Sequence, residues 1–147
     1  MGQIVYTGGT FDLFHSAHVR FLKACRRLAG QNGQVVVALN TDAFIQAYKG
    51  KLPVMTFDER KEVLLGCRYV DAVIPNVAGA DSKPSIEQVM PDLIVIGDDW
   101  ARKDYYAQMQ FTREWLDQME IQLVYVPYTP GISTTDLKQR IADLKVN

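Results

Sequence analysis

The sequence predicts one α/β domain built on a doubly wound sheet of five parallel strands. Three observations carry this expectation. Five short apolar runs, at 3–6, 35–39, 72–74, 93–96 and 121–126, alternate little with polar residues, as strands buried on both faces do. The stretches between them space their apolar residues at helical period, and a helical crossover between parallel strands has to pack back on the sheet. No repeat, low-complexity tract or Pro/Gly/Ser-rich linker interrupts the 147 residues, so 1–147 is read as a single domain.

Taken in order, the first strand runs from Gln3 to Tyr6 and straight into Thr7-Gly8-Gly9-Thr10. Ala17, Phe21, Cys25 and Leu28 then fall on one helix face, and Asn32-Gly33 follows that helix. Val35, Val36 and Val37 open the second strand. An irregular stretch at 49–56 precedes a helix marked by Arg60, Val63, Leu64 and Cys67, and the short third strand comes next. A second irregular stretch, 76–85, leads to a helix holding Ile86 and Val89, which Pro91 stops. After the fourth strand, Phe111, Trp115 and Met119 mark another helix. The fifth strand is followed by a last one carrying Leu137, Ile141 and Leu144, starting near Ser133, whose spacing to Asp136 is that of a capping box.

Sixteen Lys and Arg against seventeen Asp and Glu leave a formal charge of -1, without the broad cationic field that binds a nucleic-acid backbone or an anionic membrane. Neither is an expected partner. No apolar run approaches the ~20 residues of a spanning helix, and the first six residues lack the charged start and apolar stretch of a leader, so a cytoplasmic location is expected. Cys25 and Cys67, on the apolar stripes of two predicted helices, read as buried free thiols in a reducing compartment.

Ligands of an open parallel sheet gather outside the carboxyl ends of its strands, where helix N-termini offer unpaired N–H groups. The unusual residues of this chain fall on that edge. His15 and His18, its only histidines, sit three apart at the mouth of the first helix, so both rings face one side. A zinc site would need a third ligand close by, and neither cysteine is near; two imidazoles behind Gly8-Gly9 suit phosphate oxygens better. There is no P-loop and no dinucleotide fingerprint. Lys49 and Lys51 read either as a solvated loop or as cations reaching a phosphate. Ser133, Thr134 and Thr135 read as a helix N-cap whose amides can also hold a phosphate tail.

Five segments, Gly9-Thr10-Phe11-Asp12 with His15 and His18, Lys49-Gly50-Lys51, Arg68-Tyr69-Val70-Asp71, Gly97-Asp98-Asp99-Trp100 and Gly131-Ile132-Ser133-Thr134-Thr135, occur in this order. With them the chain resembles, over nearly its whole length, the cytidylyltransferase branch of the HxGH nucleotidyltransferases. The resemblance implies a Rossmann-like nucleotidyltransferase fold. It also implies transfer of CMP from CTP to a small phosphoalcohol, with release of pyrophosphate and no covalent enzyme intermediate. Glycerol 3-phosphate is the expected acceptor, with phosphocholine, phosphoethanolamine or a sugar phosphate as alternatives, and a nucleotide-binding homologue of little turnover as another.

Carried over position by position, the resemblance makes His15 and His18 the contacts that stabilise charge on the reacting phosphates, with Lys49 and Lys51 reaching them from a closing loop. Gly9, Thr10, Asp99, Trp100, Gly131, Ile132, Ser133 and Thr134 would hold the nucleotide, and Asp12 and Arg68 the acceptor. For Arg68 the alternative is a helix-end pair with Asp71. Mg²⁺ is expected to accompany CTP with no protein ligand assigned to it, and a homodimer is implied. The chain departs from the family pattern twice. Ala17 replaces the glycine between the histidines, and Tyr128 stands where the family has an arginine on the triphosphate, leaving Arg113 or Lys138 as replacement cations.

Overall fold

The computed structural model describes residues 2–98, 104–127 and 129–144. Strands β1 (Ile4–Gly9), β2 (Gln34–Leu39), β3 (Ala72–Pro75), β4 (Leu93–Gly97) and β5 (Gln122–Val126) form one sheet in the order β3-β2-β1-β4-β5, and every pairing is parallel. The helices are α1 (Ser16–Ala29), α2 (Asp42–Lys49), α3 (Phe57–Leu65), α4 (Lys83–Val89), α5 (Tyr105–Met109), α6 (Arg113–Gln118) and α7 (Thr134–Ala142). The predicted fold class is the observed one.

Strand alternation divides the core between two faces. Val5, Val35, Leu93 and Val95 pack against Cys25 and Ala29 of α1, while Val37 and Leu39 meet Leu22 of α1 and Leu64 of α3. On the other face Tyr6, Ala38, Ile94 and Ile96 pack with Ile86 of α4, Tyr105 of α5 and Leu116 of α6. Burying a side chain of this size contributes about 1.5–3 kcal/mol, so the period-two pattern pins the register of each strand.

Four sequence expectations change. A helix, α2, fills part of the unassigned span after β2, capped by Thr41 Oγ1, which accepts from Phe44 N at 3.2 Å. The single helix expected around Phe111, Trp115 and Met119 is two short ones. Gln110 breaks the chain between them at φ 57°, and Phe111 leaves helical geometry to pack against Tyr105, Tyr106 and Trp115. Cys67 lies in the turn after α3 and is only partly buried, whereas Cys25 is the buried thiol expected. The apolar stripe of α7 does not seat on the sheet, for Ile141 is 59% and Leu144 68% exposed.

The topology opens a crevice at β1. The chain winds outward from β1 through β2 to β3, then returns to place β4 on the other side of β1. Six residues of β1 pair with β2, from Ile4↔Gln34 to Gly9↔Leu39, but the ladder to β4 runs through Val5↔Leu93 and Tyr6↔Ile94. Beyond Tyr6 the carboxyl ends of β1 and β4 part. A reversal of strand order of this kind is where open α/β sheets bind ligands.

Candidate active site

The crevice begins with the turn that leaves β1. Gly9 is required there, since a Cβ at that position would stand 2.9 Å from the Phe11 ring. Phe11 and Leu13 take left-handed backbone at φ 51° and 49°, uncommon for bulky residues. Between them Asp12, 5% exposed, accepts three backbone N–H bonds: Leu13 at 3.1 Å and Met55 at 2.9 Å on Oδ1, and Val54 at 2.7 Å on Oδ2. The carboxylate therefore clamps the 53–55 loop to the first turn.

His15 is the N-cap of α1, and its ring is spent on the cap in a defined way. Nδ1 of His15 accepts from Ala17 N at 3.2 Å, and Nδ1 of His18 accepts from His15 N at 3.2 Å. With both Nδ1 atoms accepting, the remaining proton of each neutral imidazole sits on Nε2. The rings stack at 3.8 Å between centroids, and Phe14 and Phe11 flank His18 at 5.5 and 5.1 Å. Burial, with the neighbouring His15 adding to it against a smaller opposing pull from Asp12, lowers the His18 pKa to about 4. Burial lowers His15 as well. At neutral pH the pair offers two uncharged N–H donors.

Three adjoining cavities meet at Thr10. The first, of about 280 Å³, lies in the β1–β4 crevice and is lined by Gly9, His15, Ala17, His18, Ser133 and Thr134 among others. Ser133 caps α7 by accepting from Asp136 N at 3.0 Å, but the reciprocal half of the expected capping box does not form, for Asp136 pairs with Arg140 at 2.7 Å. Thr134 Oγ1 donates to the Asp12 carbonyl at 2.9 Å, tying α7 to the first turn. The second cavity, about 380 Å³, carries the cations: Lys49, the last residue of α2, with Lys51 and Lys138, beside Asp12 and His18. The third, about 230 Å³, lies on the other side of β1 and is uncharged among its described residues, which include Asn40, Tyr48, Asn76 and Gln108.

Helix α2 is the wall between the last two cavities. Phe44 and Tyr48, four apart, face the uncharged one, and Ile45 and Lys49 face the cationic one.

The residues that hold these parts together were not legible as site residues. Arg60 is fully buried, and its guanidinium donates to Met55 O at 3.1 Å, Thr10 O at 2.9 Å and Asn40 O at 3.0 Å, with Asp42 Oδ1 at 2.6 Å. Asn40 Nδ2 donates to Thr10 Oγ1, and Asn76 Nδ2 to Asn40 Oδ1, each at 3.1 Å. In the sequence Arg60 occupies a helix stripe and the two asparagines follow strands, so the available signal was position alone.

Other expected site residues stand apart. Arg68 is exposed on the turn between α3 and β3, at the amino edge of the sheet, where Asp71 N donates to Val35 O. It is not gathered with the histidines in this chain. The pairing considered for it is replaced, because Asp71 Oδ2 is held by Arg26 at 2.6 Å and by Val35 N at 2.7 Å. Gly131, at φ 90°, and Ile132 form the turn that feeds α7. Asp99, Trp100 and Tyr128 lie outside the described residues. Of the two replacement cations, Lys138 lines the site, whereas Arg113 lines a cleft with Leu123 and Val124 beside β5.

Among the described residues no three His, Cys, Asp or Glu side chains group as metal ligands, and Asp12 is taken up by amides. The donor set, two imidazole N–H groups, three lysines, hydroxyls and the N-terminus of α7, suits anionic oxygens.

Comparison with known proteins agrees with this chemistry. The family model described as cytidylyltransferase-like matches residues 6–140. Glycerol-3-phosphate cytidylyltransferase of Bacillus subtilis (strain 168) is 39% identical over 140 residues, 95% of this chain and 98% of that protein. The FAD synthase of Pyrococcus horikoshii is 36% identical over 140 residues, 95% of this chain and 93% of that protein. Among solved structures, the lipopolysaccharide core biosynthesis protein of Thermoplasma volcanium superposes with a TM-score of 0.68 at 23% identity, covering 88% of this chain and all of that one, a likeness of fold.

Proposed function

As this chain belongs to the cytidylyltransferase-like family, we propose that it is an enzyme transferring CMP from CTP to sn-glycerol 3-phosphate, giving CDP-glycerol and pyrophosphate. One observation carries the reading: an anion-sized crevice with two neutral imidazole donors adjoins a lysine-lined cavity on one side and an uncharged polar one on the other, all meeting at Thr10.

In this reading the nucleotide occupies the β1–β4 crevice, against the Gly9 backbone, Ser133 and Thr134. The Nε2–H groups of His15 and His18 donate to oxygens of the α-phosphate as charge grows there, in a partly buried site where preorganised donors act most strongly. Lys49, Lys51 and Lys138 neutralise the departing pyrophosphate. The acceptor phosphate is already a nucleophile at neutral pH, so alignment replaces a general base. Its oxygen attacks the α-phosphorus as the bond to pyrophosphate breaks, and its alcohol end rests in the uncharged cavity, whose amides and hydroxyls suit a polyol.

Mg²⁺ would arrive on the triphosphate oxygens of the substrate, since no side-chain ligands group for it among the described residues. A homodimer, on the resemblance to the family, and a cytoplasmic location are further parts of this proposal, and sedimentation at micromolar concentration would check the former.

Pyrophosphate release, measured for the four nucleoside triphosphates against glycerol 3-phosphate, phosphocholine, phosphoethanolamine and a sugar phosphate, tests the proposal. Release with CTP and glycerol 3-phosphate is expected. Release with ATP alone, or with no pair at all, would overturn it.

A further inference from the structure

We infer that Asn40 is a positioning residue for CMP transfer: together with Asn76 it turns the Thr10 hydroxyl proton outward, onto the reacting phosphates. The inference rests on the CMP-transfer reading above. Its starting point is the Gly79 carbonyl, which can only accept. Asn76 Nδ2 lies 2.8 Å from that oxygen, so the amide of Asn76 has one allowed orientation. Its second proton goes to Asn40 Oδ1 at 3.1 Å, while its own Oδ1 accepts from Ser85 Oγ at 3.2 Å.

The polarity then passes through Asn40. Because its Oδ1 faces Asn76, its Nδ2 must face Thr10 Oγ1, 3.1 Å away. A threonine hydroxyl has one proton and two lone pairs, and Asn40 occupies a lone pair, so the proton points away from the amide chain. Arg60, donating to the Thr10 carbonyl at 2.9 Å and the Asn40 carbonyl at 3.0 Å, fixes the backbone on both sides of that contact. Ser85 is fully buried and Asn76 9% exposed, so the inner end of the chain is shielded from water. Thr10 lines all three cavities, and the outward proton arrives where nucleotide, lysines and acceptor meet.

The test is a double-mutant cycle on Thr10→Val and Asn40→Asp, read on kcat and on the CTP dissociation constant by calorimetry. Aspartate keeps the acceptor for Asn76 but must also accept from Thr10, which turns the hydroxyl inward. Each single variant is expected to lower kcat by about tenfold to a hundredfold, the range for one hydrogen bond to a charged group, with melting temperature held within a few degrees. In the Thr10→Val background Asn40→Asp should cost almost nothing more, and Thr10→Ser, which keeps the hydroxyl, should lose less than Thr10→Val. If Asn40→Asp unfolds, Asn40→Ala carries the same cycle with a smaller loss. An Asn40 effect equally large without the Thr10 hydroxyl, or none with it, overturns the inference. Wild-type protein that binds CTP without turnover contradicts the CMP-transfer reading instead, and the cycle is then decided on the dissociation constant.

Discussion

His18 is held neutral by its surroundings, and that has a measurable signature. Its pKa falls from 6.5 to about 4, with burial as the main cause. The unfolded chain therefore takes up a proton first as pH drops, so the penalty appears below pH ~6.5, grows until pH ~4 and is constant beyond; above pH ~6.5 it is absent. For a group this buried the full penalty is on the order of 3 kcal/mol. Urea unfolding of wild type and His18→Asn should show wild type losing more stability than the variant between pH 7 and 4.5. Parallel curves would contradict the buried neutral imidazole. Lys138 is the second decisive side chain. Placed in the lysine-lined cavity while Tyr128 stands at the arginine position of the family pattern, it is expected to weaken CTP binding about tenfold to a hundredfold when changed to Ala, the range for a charge-assisted bond, and Arg113→Ala to leave it unchanged. Calorimetry with CTP measures both.

At the scale of elements, the site is a set of loops welded by one buried cation. Arg60 on α3 reaches the β1 turn, the end of β2, the 53–55 loop and the start of α2. Lysine carries the charge but not the planar fork, so Arg60→Lys leaves buried acceptors unpaired and should cost about 3–5 kcal/mol in urea unfolding, as breaking a buried network does. A loss under about 1 kcal/mol would mean that water replaces the fork.

What the sequence made legible follows from where information is local. The strands, α1 and the Ser133 cap rest on period and on neighbours within one turn, and they were readable. The pairing of His15 and His18 was readable from spacing; their capping of each other was not, because histidine is an unusual N-cap. The clamping of the 53–55 loop by Asp12 and of the β1 turn by Arg60 was not readable, although Arg60 lies on the helix stripe expected for it, since these partners lie 42 to 50 residues away in the chain. The break at Gln110 depends on tertiary packing of Phe111, which no local rule contains.

Across the whole molecule, a net charge of -1 hides a local concentration of cations. The reversal of strand order at β1 brings distant segments to one edge, among them 8–18, 40–53, 76–82, 96–97 and 133–138, and three cavities open between them. That division suits a reaction with an anionic nucleotide, an anionic leaving group and a neutral alcohol tail. The most direct test supplies glycerol 3-phosphate with heavy-oxygen-labelled phosphate together with unlabelled CTP, and follows the label by phosphorus NMR. Attack of the acceptor phosphate on the α-phosphorus predicts CDP-glycerol that retains all the label, with none in pyrophosphate. Label in pyrophosphate, or no CDP-glycerol formed, would contradict the account.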